Sequence, residues 1–142
     1  TLSGQLVGTP QYLSPEQATG RARDVGPATD IHALGVLLYQ SITGDVPFSS
    51  ESLVGLLHQI ATSDPVPPRS RNRLVPRDLE TICLKCLQKK SELRYASAAD
   101  LRDDLRRFLI RQPVRARPVG PVARSWMLKN VAINWSLVAI NT

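Results

Sequence analysis

The chain of 142 residues is long enough to form one domain with its own hydrophobic core. Its net charge of +6 is unevenly distributed: residues 1–110 carry 13 basic and 12 acidic side chains, whereas residues 111–142 carry five basic side chains and no acidic one. The near-neutral globular part argues against a nucleic-acid-binding domain. The basic terminal segment is typical of a juxtamembrane segment or of a nucleic-acid-binding arm. We expect both ends to continue in a longer protein.

The two cysteines predict buried packing rather than a metal or redox site. Cys83 and Cys86 have the C-x-x-C spacing, but a zinc site would need two further ligands, and His32 and His58 are distant and unpaired in the sequence. Both cysteines fall on the apolar stripe of a predicted helix. We therefore expect no metal site in this chain.

The chain begins with a predicted loop that leads into a short helix. Glycines and hydroxyl side chains over residues 1–13 predict irregular backbone. Ser14 is suited to cap a helix, Pro15 to occupy its first position, and Glu16 to interact with the helix dipole in the first turn. These residues predict a helix over residues 14–18.

A polar loop over residues 19–28 precedes the most apolar segment of the chain. We predict a helix that Thr29 caps and that ends near residue 43. It has almost no polar face, which predicts burial on all sides. Gly35 would let a neighbouring element approach closely, and Gly44 is suited to end the helix.

Three amphipathic helices are predicted in the rest of the globular part, over residues 50–62, 77–88 and 97–112. Four prolines between the first two of these helices predict an extended connection over residues 63–76. No segment predicts a strand.

The C-terminal residues have the composition of a segment that enters a membrane. Prolines and arginines over residues 112–130 predict a basic, semi-rigid juxtamembrane linker. Trp126, Lys129 and Trp135 accompany an apolar run over residues 131–142, in the order expected at a membrane interface. The run is about half of the ~20 residues that a spanning helix needs, so we interpret it as the start of a transmembrane helix.

Four motifs follow one another in the chain: G-T-P-Q-Y-L-S-P-E-Q (8–17), D-I-H-A-L-G-V-L-L-Y (30–39), G-D-V-P-F (44–48), and L-R-Y (93–95) followed by A-A-D-L-R-D-D-L. Together they resemble the C-terminal lobe of bacterial serine/threonine protein kinases, from the activation segment to the end of the catalytic domain. The resemblance covers residues 1–111. It implies a mainly α fold, the helical C-lobe of the protein-kinase-like fold without its N-lobe and catalytic loop.

The resemblance assigns substrate docking to the first motif. Thr9 matches the threonine that, in these kinases, hydrogen-bonds the catalytic Asp and the catalytic-loop Lys. Pro10, Gln11 and Tyr12 match the wall that receives the substrate residue after the phosphoacceptor.

The resemblance also implies structural and regulatory roles. Glu16 matches the glutamate that pairs with an arginine matching Arg94; exposed, solvated side chains are the alternative. Asp30 matches the aspartate that hydrogen-bonds the catalytic loop, with a helix-dipole interaction as the alternative. Thr1 and Ser3 lie where activation-loop phosphosites occur, although both are equally compatible with ordinary loop hydroxyls.

The phosphate loop, catalytic loop and Mg²⁺-binding motif of the family have no match in this chain. We therefore expect ATP and Mg²⁺ to bind residues that precede residue 1, and no catalytic residue within the chain. The implied function is phosphoryl transfer to Ser or Thr of protein substrates, by a cytoplasmic domain of a membrane-anchored parent. A pseudokinase scaffold and, less favoured, a basic nucleic-acid-binding helical domain remain open; no nucleic-acid partner is expected.

Overall fold

A computed structural model of the protein describes residues 9–118. In this range the chain forms six α-helices, three short 3₁₀ turns and no strand, which confirms the mainly α prediction. The helices are α1 (Pro15–Ala18), α2 (Pro27–Thr43), α3 (Leu53–Thr62), α4 (Pro68–Arg71), α5 (Arg77–Cys86) and α6 (Ala98–Leu109), and the 3₁₀ turns are Pro10–Tyr12, Ala22–Asp24 and Ser91–Leu93. Thr1, Ser3 and the predicted membrane entry at 131–142 lie outside the described residues.

Helix α2 is the centre of the fold, and it contacts α4, α5 and α6. It begins two residues before the predicted start, because Pro27 occupies its first position, where a fixed φ and a missing N–H favour a helix. Thr29 is therefore inside the first turn and is not the N-cap. The prediction for the other end is confirmed: Gly44 adopts a left-handed φ of 82° and its N–H donates to the carbonyl of Gln40 at 2.8 Å.

The prediction that α2 is buried on all sides is wrong for the described residues. Ile31, Val36 and Tyr39 are fully buried, but Leu34 and Leu37 are 43% and 49% exposed. These two leucines lie on one face of the helix, because positions three and four apart are neighbours on a helical surface. One face of the central helix is thus apolar and open.

Close packing of α2 on α5 explains why Gly35 and the two cysteines are buried together. A Cβ atom at Gly35 would lie 2.5 Å from the Cβ of Cys86, so only glycine fits at this contact. The Cys83 thiol lies 3.6 Å from the Gly35 carbonyl as a weak donor. Burial raises the pKa of both thiols, that of Cys86 to about 12. The prediction of buried packing for both cysteines is confirmed.

Other helix bounds also differ from the predicted ones. Helix α3 begins at Leu53, because Ser52 caps it by accepting the N–H of Gly55 at 3.0 Å. The proline-rich connection contains α4, which Pro68 starts in the position that proline favours. Helix α5 ends at Cys86 and α6 at Leu109, two and three residues early.

Residues 113–118, here called the C-terminal strap, are part of the folded domain. Val114 and Ala116 are 5% and 3% exposed and belong to the core cluster that contains Ile31 and Ile82. The buried carboxylate of Asp104 accepts the backbone N–H groups of the strap residues Arg115 and Ala116 at 2.7 and 2.9 Å. The predicted linker therefore begins as a packed segment.

The Asp104 carboxylate also accepts the hydroxyl of Tyr95 at 2.8 Å and a guanidinium N–H of Arg107 at 2.9 Å. Burial alone would raise the pKa of Asp104, but these hydrogen bonds and those from the strap hold the pKa below its ordinary value. Asp104 is thus a charged anchor with all its acceptor sites in use.

We predict that Asp104→Asn loosens the strap, because an amide nitrogen cannot accept the strap N–H that a carboxylate oxygen accepted. The free energy of unfolding should fall by about 1–3 kcal/mol. Limited trypsin digestion followed by mass spectrometry should show faster cleavage of the bond between Arg115 and Ala116, because the bond after Arg117 precedes a proline and resists trypsin. Asp103→Asn is the control, since Asp103 pairs only at the surface with Arg102. Equal cleavage rates in the two variants would contradict the anchor.

Candidate functional site

A 3₁₀ turn over Pro10–Tyr12 begins the site, and it rests on α2 and α3. The Tyr12 N–H donates to the carbonyl of Thr9 at 3.1 Å, and the Leu13 N–H to that of Pro10 at 3.2 Å. Leu13 is buried in an apolar cluster with Phe48 and Leu56. We call residues 9–13 the docking turn, after the role that the family resemblance implies for them.

The docking turn is held on α2 through Tyr12, whereas Thr9 at its start is exposed to solvent. The Tyr12 hydroxyl donates to the side-chain oxygen of Gln40 on α2, and its ring packs against the cluster of Val36 and Tyr39. Thr9 is exposed, and its side chain makes no capping hydrogen bond. Its hydroxyl is therefore free to meet a group outside the described residues.

Helix α1 positions the next functional side chain, Glu16. The Ser14 hydroxyl accepts the Gln17 N–H at 3.3 Å, while the Gln17 side-chain oxygen accepts the Ser14 N–H at 2.9 Å. This reciprocal capping box, with Pro15 in the first position, starts the helix as the sequence predicts. Glu16 follows with its side chain directed into the protein, where it is 2% exposed.

Glu16 and Arg94 form a buried bidentate ion pair although 78 residues separate them. The two guanidinium nitrogens of Arg94 lie 2.8 and 2.9 Å from the two carboxylate oxygens. The remaining N–H groups of Arg94 donate to the carbonyls of Ala28 (2.8 Å), Gln88 (2.8 Å) and Lys89 (3.2 Å). A buried guanidinium with complete hydrogen bonding fixes α1 against the loop that precedes α6.

Thr29 completes the carboxylate's surroundings from α2. Its hydroxyl donates to Glu16 at 2.8 Å and accepts the N–H of Gly26 at 3.1 Å. Burial alone would raise the pKa of Glu16, but hydrogen bonds from Arg94 and Thr29 lower it to about 2. Glu16 is therefore charged at any physiological pH.

Asp30 and His32, two residues apart on α2, have different surroundings. Asp30 is exposed in the first turn and takes no part in the Glu16–Arg94 network. His32 is fully buried, and neither ring nitrogen has a partner among the described residues. Burial, and then the positive charges of Arg94 and Lys89, lower the pKa of His32 to about 3. His32 is therefore a packed, neutral residue.

Sequence reasoning missed two contributors to this site, Thr29 and Gln40. Pro27 could have revealed the first, because proline at the first helical position places Thr29 third in the helix, within its first turn. No local pattern signals Gln40, which is 28 residues from the tyrosine that it holds. Among the described residues, no group of three His, Cys, Asp or Glu side chains could hold a metal ion.

The family model described as the protein kinase domain matches residues 3–104. The chain belongs to the protein kinase family. Serine/threonine-protein kinase PknB of Mycobacterium leprae is 40% identical over 138 residues, 96% of this chain and 22% of that protein. Pkn1 of Myxococcus xanthus, also a serine/threonine-protein kinase, is 46% identical over 105 residues, 74% of this chain and 15% of its own length.

The chain spans about a fifth of the length of the PknB relative from M. leprae (22%), and the PknB of Mycobacterium tuberculosis gives the same proportion, with 39% identity over 137 residues. The alignment of 138 residues is longer than the kinase-domain match at 3–104, so the likeness to these relatives continues past the domain. In the described residues, no helix is both long and apolar enough to cross a bilayer.

We predict that Arg94→Lys lowers the free energy of unfolding by at least about 2 kcal/mol, because lysine keeps the charge but cannot form the bidentate pair and the carbonyl bonds together. Urea denaturation of the chain measures this change. Arg102→Lys is the matched control, because Arg102 makes an exposed pair with Asp103, and should change stability by less than about 0.5 kcal/mol. Similar losses in the two variants would contradict this account.

We also predict that the buried neutral His32 makes the domain acid-sensitive. The pKa of His32 is about 3 in the folded state against 6.5 in a free side chain, so only the unfolded chain takes up this proton as the pH falls below 6.5. Lowering the pH from about 7.5 to about 5.5 should cost about 1.4 kcal/mol of unfolding free energy. His32→Phe should remove this pH dependence, and His58→Gln, at an exposed position, should retain it. An unchanged pH dependence in His32→Phe would be evidence against the assignment.

Proposed function

We propose that this chain is the C-terminal part of the catalytic domain of an ATP- and Mg²⁺-dependent protein serine/threonine kinase, and that it supplies the peptide-docking surface. The observation that carries the proposal is the buried Glu16–Arg94 pair. In a chain of the protein kinase family, it holds α1, and with it the docking turn, against the loop before α6. A docking surface must keep its shape while substrates exchange, and a bidentate pair with complete hydrogen bonding provides that rigidity.

In this proposal the docking turn places a Ser or Thr hydroxyl of a protein substrate for phosphoryl transfer. Pro10, Gln11 and Tyr12 form the wall for the substrate residue that follows the phosphoacceptor. The exposed Thr9 hydroxyl hydrogen-bonds the catalytic Asp, which belongs to the part of the kinase before residue 1. Bound ATP with Mg²⁺ supplies the phosphoryl group, and residues outside this chain bind both. Positioning is therefore the contribution of the chain's own residues.

The open face of α2 also fits this assignment. Asp30, Leu34 and Leu37 share the exposed side of the central helix. We propose that this face packs against the catalytic loop of the parent kinase. The Asp30 carboxylate would accept hydrogen bonds from backbone N–H groups of that loop. Phosphates on Thr1 or Ser3 would order the activation segment by pairing with arginines.

We assign residues 1–111 to the kinase domain, with the strap as its packed C-terminal extension, and the rest of 112–130 to a juxtamembrane linker. Residues 131–142 begin a transmembrane helix in this proposal. The basic linker then lies on the cytoplasmic side with the kinase domain, because cytoplasmic loops next to a membrane span carry an excess of Lys and Arg.

The proposal is tested with Thr9→Ala in the longer kinase that carries this chain. Loss of a hydrogen bond to the catalytic Asp should lower kcat for a peptide substrate by about 10- to 100-fold, while Thr9→Ser should retain most of the activity. Thr62→Ala is the control, because Thr62 is an exposed threonine at the end of α3.

Phosphate transfer from labelled ATP to the peptide is the readout, with thermal melting as a check of folding. Undiminished transfer by Thr9→Ala would reject the role of Thr9. A well-folded parent that transfers no phosphate in any variant would instead indicate a pseudokinase scaffold.

A further inference from the structure

A broad basic groove lies between α4, the start of α5, the end of α6 and the strap. It has a volume of about 1270 Å³. Five arginines line it together with the carboxylates of Asp78 and Glu80: Arg69, Arg73, Arg77, Arg111 and Arg117. The groove shares no lining residue with the docking turn or with the Glu16–Arg94 pair.

The charge of these arginines is not neutralised within the described part of the chain. None of the five forms an ion pair there; the guanidinium groups of Arg69 and Arg117 donate only to neutral carbonyls, those of Val75 and of Val114 and Ala116. Glu80 is 7% exposed and already accepts the backbone N–H of Arg69 at 2.7 Å. Five arginines and two carboxylates line the groove, so it has an excess of three positive charges.

Backbone strain at Arg111 is a second, independent observation. Helix α6 ends with a double hydrogen-bonded turn, in which Gln112 N–H donates to Arg107 and Arg111 N–H donates to Phe108. The residue at this position is usually glycine, because φ is positive; here it is Arg111, with φ of 59°. A non-glycine residue held in this region is a reason to look for a function of its side chain, and that side chain lines the groove.

The location of the groove favours a membrane surface as its partner. The strap forms one wall and ends at Pro118, 13 residues before the predicted membrane entry at residue 131. Thirteen residues reach at most about 45 Å, so the linker keeps the end of the strap within that distance of the predicted membrane entry. The cytoplasmic leaflet carries anionic lipids, and basic residues near it are attracted by its surface potential.

We propose that this groove binds the phosphate groups of anionic phospholipids and so holds the kinase domain against the cytoplasmic membrane surface. The proposal rests on the proposed membrane-anchored kinase. It adds a lipid-binding site within the domain itself, beyond the linker. The groove and the docking turn share no residue, so lipid and peptide would contact different side chains.

The test compares binding of the full chain to two kinds of vesicle: pure phosphatidylcholine, and equal parts of phosphatidylcholine and phosphatidylglycerol. The terminal apolar and aromatic residues contribute equally in all variants, so the readout is the ratio of the two partition coefficients in co-sedimentation. Each arginine removed should lower the ratio by about fivefold. Added salt should lower it further, because the attraction is screened.

Arg111→Gly is the decisive variant, since it removes the charge and relieves the backbone strain. We expect about a fivefold lower ratio with an unchanged or higher melting temperature, a combination that a purely structural role of Arg111 would not produce. The double variant Arg73→Gln/Arg77→Gln should lose about 25-fold. Arg111→Lys should keep the preference for anionic vesicles, and so should Arg23→Gln, at an exposed arginine outside the groove.

Equal ratios for the wild type and the groove variants would overturn the proposal, because binding would then come from the terminal segment alone. Binding of a phosphorylated peptide or an oligonucleotide under conditions in which anionic vesicles do not bind would also overturn it. The measurement needs neither ATP nor peptide substrate. Failure of the groove and failure of the proposed kinase function are therefore distinguishable.

Discussion

The ion pair between Glu16 and Arg94 is the interaction on which the arrangement of this domain depends. It joins the helix after the docking turn to the loop before the last helix, across 78 residues. Removing two charges from water is costly, and the cost is offset here because every N–H group of the guanidinium has an acceptor. Such a pair adds little net stability compared with apolar packing, but it tolerates only one geometry. Its main contribution is therefore to fix the position of the docking turn relative to the loop before α6.

The sequence predicts contacts between residues close together in the chain, but not contacts between residues far apart. The capping box at Ser14 and the left-handed end of α2 at Gly44 are local, and the residues that form them predict them. The prediction of Thr29 as the N-cap is wrong because Pro27 starts the helix, and no local pattern indicates that the Thr29 hydroxyl binds a carboxylate 13 residues away. The pairing of Glu16 with Arg94 followed only from family resemblance, since no spacing or periodicity links residues so far apart. The partnership of Gln40 with Tyr12 had no signal of either kind.

The grouping of charges on the surface of the fold could not be predicted from the sequence either. Counted along the chain, the basic excess belongs to residues 111–142 and the preceding part is nearly neutral. In the fold, three arginines from that neutral part meet two from the basic part around one groove, while most of the acidic side chains lie elsewhere. Linear counts identify a basic tail correctly, but they cannot show which surface the tail completes. The strap brings Arg117 to the groove because Asp104 binds its backbone and because Val114 and Ala116 are buried in the core.

Two adjacent residues connect these regions. Arg94 holds the docking turn through Glu16, and the next residue, Tyr95, donates its hydroxyl to Asp104, which in turn holds the strap. Both residues are buried, so the loop before α6 is fixed by one charged group on each side. The point at which the chain leaves the domain is therefore set in relation to the docking turn by consecutive buried contacts. The strap cannot shift relative to the docking turn without breaking hydrogen bonds to a buried carboxylate, that of Asp104 or that of Glu16.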